Sequence, residues 1–208
     1  MINWIYKPLE MNLSRKDKIR GSLIGGAIGD ALGYPVEFAS YSNIKSLFGE
    51  NGITRFVLNN NGVSEISDDT QMTLFTANGL LYGITRFCMR GIGSDLFNYV
   101  AIAYDEWLQT QMDFPLEDEW HTCWIRNISA LNSLRAPGNT CLSALMVLRE
   151  QKAVSNNSKG CGGVMRAAPI GLLSGVARGK ETIDNACDCA AITHKHPLGY
   201  LPAGMLAC

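Results

Sequence analysis

From Ser14 onward, Ile19, Leu23, Ile24, Ala27, Ile28, Ala31 and Leu32 recur at three- and four-residue intervals, the period of a helix. Ser14 followed by Asp17 is a capping-box signal for its start, and Pro35 predicts its end, which leaves Glu37 just beyond. Gly21, Gly25, Gly29 and Gly33 fall every fourth residue on a neighbouring face. Each glycine inside a helix costs about 1 kcal/mol against alanine. Such a row therefore predicts a compensating close approach of another backbone or a ligand, and so a central, crowded helix.

Asn59-Asn60-Asn61-Gly62 is turn material, after which Ser67 reads as the N-cap of a helix carrying Met72, Leu74, Phe75, Ala77, Leu80 and Leu81. The pattern predicts further helices at 94–111, 138–151, 163–178, 180–193 and from 197 onward, the last without a stop signal. Only Ile53 to Leu58 alternates enough to suggest a strand. The fold class expected is all-α, one compact orthogonal bundle over residues 13–208, with residues 1–12 as an N-terminal extension; no internal repeat or low-complexity linker divides it.

Composition narrows the function classes. With 208 residues, 47% hydrophobic and 18% charged, the chain can bury an ordinary core. Eighteen Lys and Arg against 19 Asp and Glu give a formal charge of -1, which argues against bulk nucleic-acid binding or an anionic membrane. No apolar run is long enough to span a bilayer and no secretory signal opens the chain, so a cytoplasmic location is expected. Seven cysteines without a CxxC pair fit reduced thiols. Cys187 and Cys189 fall on different helix faces, which argues against a zinc pair.

Three stretches could carry chemistry. Ser67-Asp68-Asp69-Thr70 crowds carboxylates and hydroxyls into a first helical turn. Either the acids complement the helix dipole, or they offer hard oxygen ligands to a cation such as Mg²⁺, with Glu37 as an unpaired acid nearby. Ser158-Lys159-Gly160-Cys161-Gly162-Gly163 precedes a helical run and is either a phosphate-binding turn or a tight helix contact. Thr193-His194-Lys195-His196-Pro197 suits hydrogen bonding to a ligand better than metal binding, and His121 reads as structural.

Together these segments resemble the ADP-ribosylglycohydrolase family, which includes dinitrogenase-reductase-activating glycohydrolase and the J1 crystallins. The resemblance rests on RGSLIGGAIGDALGYPVE (20–37), SDDTQM (67–72), PGNT (137–140), GCGGVMRAAP (160–169), and Thr193-His194 with PLGY (197–200), all in family order. It implies an all-α hydrolase with two Mg²⁺ or Mn²⁺ ions that cleaves ADP-ribose from a protein side chain or small acceptor. Carried over by position, Ser67, Asp68 and Asp69 would ligate metal, and Glu37 would be a metal-proximal or gating carboxylate. Asn157, Ser158, Lys159 and Gly160 would line the pyrophosphate, and His194 would contact a ribose. Glu37 and Asp69 are both candidates for the general base. The family's later Asp-x-Asp-Ser/Thr motif does not occur before Cys208, so the chain by itself is expected to be inactive. Cys161, where many relatives carry Asn, and Arg135-Ala136-Pro137, where some carry an acid, bear on substrate orientation. The alternative is a non-catalytic ADP-ribose-binding or crystallin-like relative, and a third reading is hydrolysis of another nucleotide-linked glycoside.

Overall fold

The computed structural model describes residues 14–112, 121–173 and 179–208. Ser14 Oγ accepts the Asp17 amide at 3.2 Å and donates to the Asp17 carboxylate at 2.6 Å, which starts helix α1 (Arg15–Gly33). Pro35 converts its end to a 3₁₀ turn, Tyr34–Val36, as the sequence predicts. A short helix α2 (Tyr41–Phe48) follows, capped by Ser40 and closed by Gly49 at φ 83. Helix α3 (Asp68–Arg90) begins at Ser67 and ends at Gly91, which is left-handed at φ 65.

After α3 come α4 (Leu96–Gln111), two 3₁₀ turns (Trp124–Asn127 and Ser129–Leu131) and α5 (Asn139–Arg149). A fourth 3₁₀ turn (Cys161–Gly163) precedes α6 (Ala168–Gly171), α7 (Lys180–Ala191) and α8 (Pro197–Ala207). The all-α class holds: no strand occurs among the described residues, and Ile53 to Leu58 runs as coil with Phe56, Val57 and Leu58 exposed.

The centre is the α3–α4 pair, where Met72, Phe75, Leu80, Val100, Ala103, Tyr104, Trp107 and Leu108 are buried. Gly79 allows the close approach, since a methyl there would lie 2.8 Å from the Tyr99 carbonyl oxygen. Trp107 and Gln71 are paired inside this core. Trp107 Nε1 donates to Gln71 Oε1 at 3.2 Å, and Gln71 Nε2 to the Ser133 carbonyl at 2.8 Å. Glu106 accepts from the Thr122 amide and hydroxyl, both at 2.6 Å, and from the Cys123 amide at 3.0 Å, fastening the segment after residue 120 to α4.

Three expectations are corrected. The glycine-bearing helix is neither central nor crowded: Ala31 is its one buried residue, Ile24 and Ile28 are 58% and 51% exposed, and a methyl on Gly21, Gly25, Gly29 or Gly33 would meet nothing within 4 Å. Gly25, Gly29 and Gly33 line a cleft instead of admitting a neighbour. The single helix expected over 163–178 is broken, because a 3₁₀ turn occupies Cys161–Gly163 and Pro169 lets α6 begin only at Ala168. Helix α2 was not expected, although Ile44, Leu47 and Phe48 carry helical spacing, because the pattern lasts only eight residues. The extension 1–12 and residues 174–178 lie outside the described residues.

Candidate active site

Helix α3 begins with amides that would otherwise lack acceptors, and each of them is satisfied. The Ser67 amide donates to Asp30 Oδ2 at 2.9 Å, the Asp68 amide to the Arg135 carbonyl at 2.9 Å, and the Asp69 amide to Ser67 Oγ at 3.1 Å. The Thr70 amide reaches Asp30 Oδ2 at 3.2 Å, and the Thr70 hydroxyl donates to the same oxygen. Asp30 therefore caps α3 from another helix. With these donors consumed, the turn offers its surroundings carboxylate and hydroxyl oxygens, which suits cation or proton chemistry and not anion binding.

Beside this turn lies a cleft of about 510 Å³. Its walls include Gly25, Gly29 and Gly33 of α1, Asp30, Glu37, and Ser67, Asp69 and Thr70, with Cys161 and Met165 opposite. Asp68 does not line the cleft: it is buried, and its Oδ2 accepts the Gly138 amide at 3.1 Å, tying α3 to the entry of α5. That entry is bent by Ala136, left-handed at φ 51.

Among the described residues no Lys or Arg lines this cleft. Burial pushes the Asp68 carboxyl up to about 7; the Gly138 amide pulls it back, while Asp69, Glu37 and Asp30 push it further. Asp69 is raised to about 6, by burial first and then by Asp30 and Glu37. Glu37 is raised by partial desolvation and by the Asp30 charge. Hard oxygen donors of this kind fit a divalent cation in chemistry. In number they fall short: among the described residues no three His, Cys, Asp or Glu side chains form a group able to hold a metal ion.

The glycine turn stands next to the cleft, and only Cys161 of it reaches the lining. Asn156 organises the turn. Its Oδ1 accepts the Ser158 and Lys195 amides, both at 3.2 Å, and its Nδ2 donates to the Thr193 carbonyl at 2.8 Å. The Gly160 amide donates to Ser158 Oγ at 3.4 Å, so two amides of the turn are already engaged. Asn157 and Lys159 are exposed. The tight-contact reading of the glycines has direct support: a methyl on Gly163 would lie 2.5 Å from the Gly199 carbonyl oxygen, and one on Gly162 would lie 2.6 Å from His194 Cε1. His194 is thus beneath the turn, 2% exposed, and does not line the acidic cleft.

Sequence reasoning overlooked Asp30 and Asn156. A lone carboxylate inside a glycine-rich helix was the available signal for the first, and an Asn-Asn-Ser turn was the signal for the second. A second cavity, about 640 Å³, lies between α4 and α5, but its acids are engaged, Asp105 with Arg149 and Glu106 with Thr122. His121 shows no role in either cavity.

The chain is 28% identical over 204 residues to the uncharacterized protein YegU of Escherichia coli, covering 93% of this chain and 53% of that protein. A shorter stretch of 69 residues is 38% identical to an uncharacterized protein of Archaeoglobus fulgidus, covering 32% of this chain and 22% of that one. The chain thus spans about half the length of the longer-matched relative. The sequence profile of the ADP-ribosylglycohydrolases matches residues 11–208, which takes in α1, the acidic turn, the glycine turn and His194. The chain belongs to the ADP-ribosylglycohydrolase family.

Proposed function

We propose that the protein hydrolyses the glycosidic bond between ADP-ribose and an acceptor such as a protein side chain, in a reaction that depends on Mg²⁺ or Mn²⁺. The observation that carries this reading is the meeting of Ser67, Asp69, Asp30 and Glu37 around one cleft bordered by glycine, with no Lys or Arg among its described lining residues. Ser67 and Asp69 would contribute oxygen ligands from the cleft wall, Asp68 would join them only through the carboxylate oxygen that the Gly138 amide does not hold, and the remaining ligands for two ions would come from outside the described residues. A bound divalent ion polarises water and ribose hydroxyls near neutral pH.

The chain's own groups have separable tasks. Asp69, with its carboxyl raised towards neutrality, can hold or release a proton at the cleft wall, and Glu37 at the rim can do the same or gate entry. Asp30, committed to three donors, positions the α3 turn instead of moving a proton. On the far side of Cys161, Asn157, Ser158, Lys159 and Gly160 would face the pyrophosphate, and His194 a ribose hydroxyl. Seven unpaired thiols support a reducing, cytoplasmic setting.

A non-catalytic ADP-ribose-binding or crystallin-like role is the second reading, favoured by the shortage of converging ligands among the described residues. Calorimetry of the full-length gene product with ADP-ribose and Mg²⁺, alongside an assay for ADP-ribose release from ADP-ribosyl-arginine, separates the two. Binding with turnover supports hydrolysis; binding without turnover in metal-loaded protein supports the second reading; neither binding nor turnover defeats both.

A further inference from the structure

Arg166 is fully buried, and among the described residues no carboxylate pairs with it. Its guanidinium carbon stands 4.4 Å from the Tyr104 ring centroid, its Nη1 lies 3.3 Å from Met72 Sδ and 3.4 Å from Cys141 Sγ, and its Nη2 donates to Thr193 Oγ1 at 2.6 Å. Burying a cation with only soft or neutral partners is costly, so a compensating role is expected. The Thr193 contact shows where that role lies. Thr193 Oγ1 is also 2.9 Å from His194 Nδ1.

Guanidinium groups can only donate, so Thr193 Oγ1 must accept from Arg166, and its own proton is left to give. Two acceptors compete for that proton, His194 Nδ1 and the Cys141 thiol. A ring nitrogen is a far better acceptor than a neutral thiol, and a lone pair facing a guanidinium is favoured over an N–H facing it. With Nδ1 accepting, the ring proton sits on Nε2. Among the described residues Nε2 has no hydrogen-bond partner, although its edge lies directly under the glycine turn: methyls on Gly160 and Gly162 would fall 3.5 Å and 3.1 Å from it. Burial and the Arg166 charge also push His194 down to about 4, so the ring carries no charge near neutral pH.

We infer that Arg166 and Thr193 are positioning residues that hold His194 with its proton on Nε2, so that the ring offers an N–H donor to an oxygen of the ligand bound at the Ser158–Cys161 turn. The ligand half of this inference rests on the ADP-ribose reading above; the tautomer half does not. It also explains why glycines surround the imidazole, since larger residues at 160 or 162 would cover or displace that edge.

A long-range proton–nitrogen correlation spectrum of isotope-labelled, ligand-free protein reads the tautomer directly, and His194→Gln assigns the signals among the three histidines. The expected result is an unprotonated Nδ1 and a protonated Nε2; the reverse assignment overturns the inference. Thr193→Val should mix the tautomers and weaken ADP-ribose binding about tenfold, the scale of one hydrogen bond, while Thr193→Ser should restore both. Unchanged ADP-ribose affinity in folded Thr193→Val would overturn the donor role. If Thr193→Val does not fold, the wild-type tautomer and Thr193→Ser decide the matter. If wild-type protein shows the expected tautomer but binds no ADP-ribose, the ADP-ribose reading falls while the Arg166–Thr193–His194 relay stands.

Discussion

Asp68 and Asp69 show how adjacent, chemically identical residues take different tasks. One turns inward to the Gly138 amide, and the other faces the cleft. Both carboxyls lie above the ordinary 3.8, at about 7 and about 6, so the folded state keeps protons that the unfolded chain has released. Their contribution to stability is fully present below the unfolded value and is lost as pH rises through those folded values. Asp68→Asn keeps an acceptor for Gly138 but cannot ionise; it should raise the melting temperature above neutral pH and flatten its decline with pH in scanning calorimetry of metal-free protein. A variant less stable than wild type at every pH would contradict this.

Glycine chemistry gives a second prediction at the same scale. A Gly162→Ala methyl would press on His194 Cε1 and lie 3.1 Å from Cys141 Sγ, so we expect a loss of about 1 to 3 kcal/mol by denaturant titration. Wild-type stability in that variant would mean His194 is not held as described.

At the scale of elements, α1 and α3 are joined through one carboxylate. Asp30→Ala strips acceptors from the Ser67 and Thr70 amides and should cost about 1 to 2 kcal/mol, the range of a lost helix cap. The opposite sign is expected on the open face: Gly21→Ala, with nothing within 4 Å of the new methyl, should stabilise the chain by about 1 kcal/mol. A destabilised Gly21→Ala would restore the crowded-helix expectation.

These elements also show what the sequence makes legible. Ser67 and Gly91 bound α3 through local chemistry, a side-chain acceptor and a left-handed turn, and local chemistry can be read from neighbours in the chain. The all-α class followed from apolar periodicity for the same reason. Asp30 capping a helix some forty residues away, and Asn156 joining the glycine turn to Thr193, are long-range pairings that no local pattern encodes. The glycine row misled because its cost can be offset in more than one way. Here its glycines border a cleft, a role that spacing cannot distinguish from close helix packing.

For the whole molecule, the acidic cleft and the glycine turn meet at Cys161, which belongs to the turn and lines the cleft. No helix among the described residues is long and apolar enough to cross a membrane. The chain matches its family over nearly its full length while spanning about half of the Escherichia coli relative, so the proposed activity is best measured by its dependence on residues this chain supplies.

The most direct measurement is the rate of ADP-ribose release from ADP-ribosyl-arginine in saturating Mg²⁺, compared between the full-length gene product and its Asp69→Asn variant. A cleft-facing carboxylate that handles a proton or a cation should be worth at least about a hundredfold in rate. Release by Asp69→Asn at the unaltered rate would contradict the assignment of this cleft as the hydrolytic site.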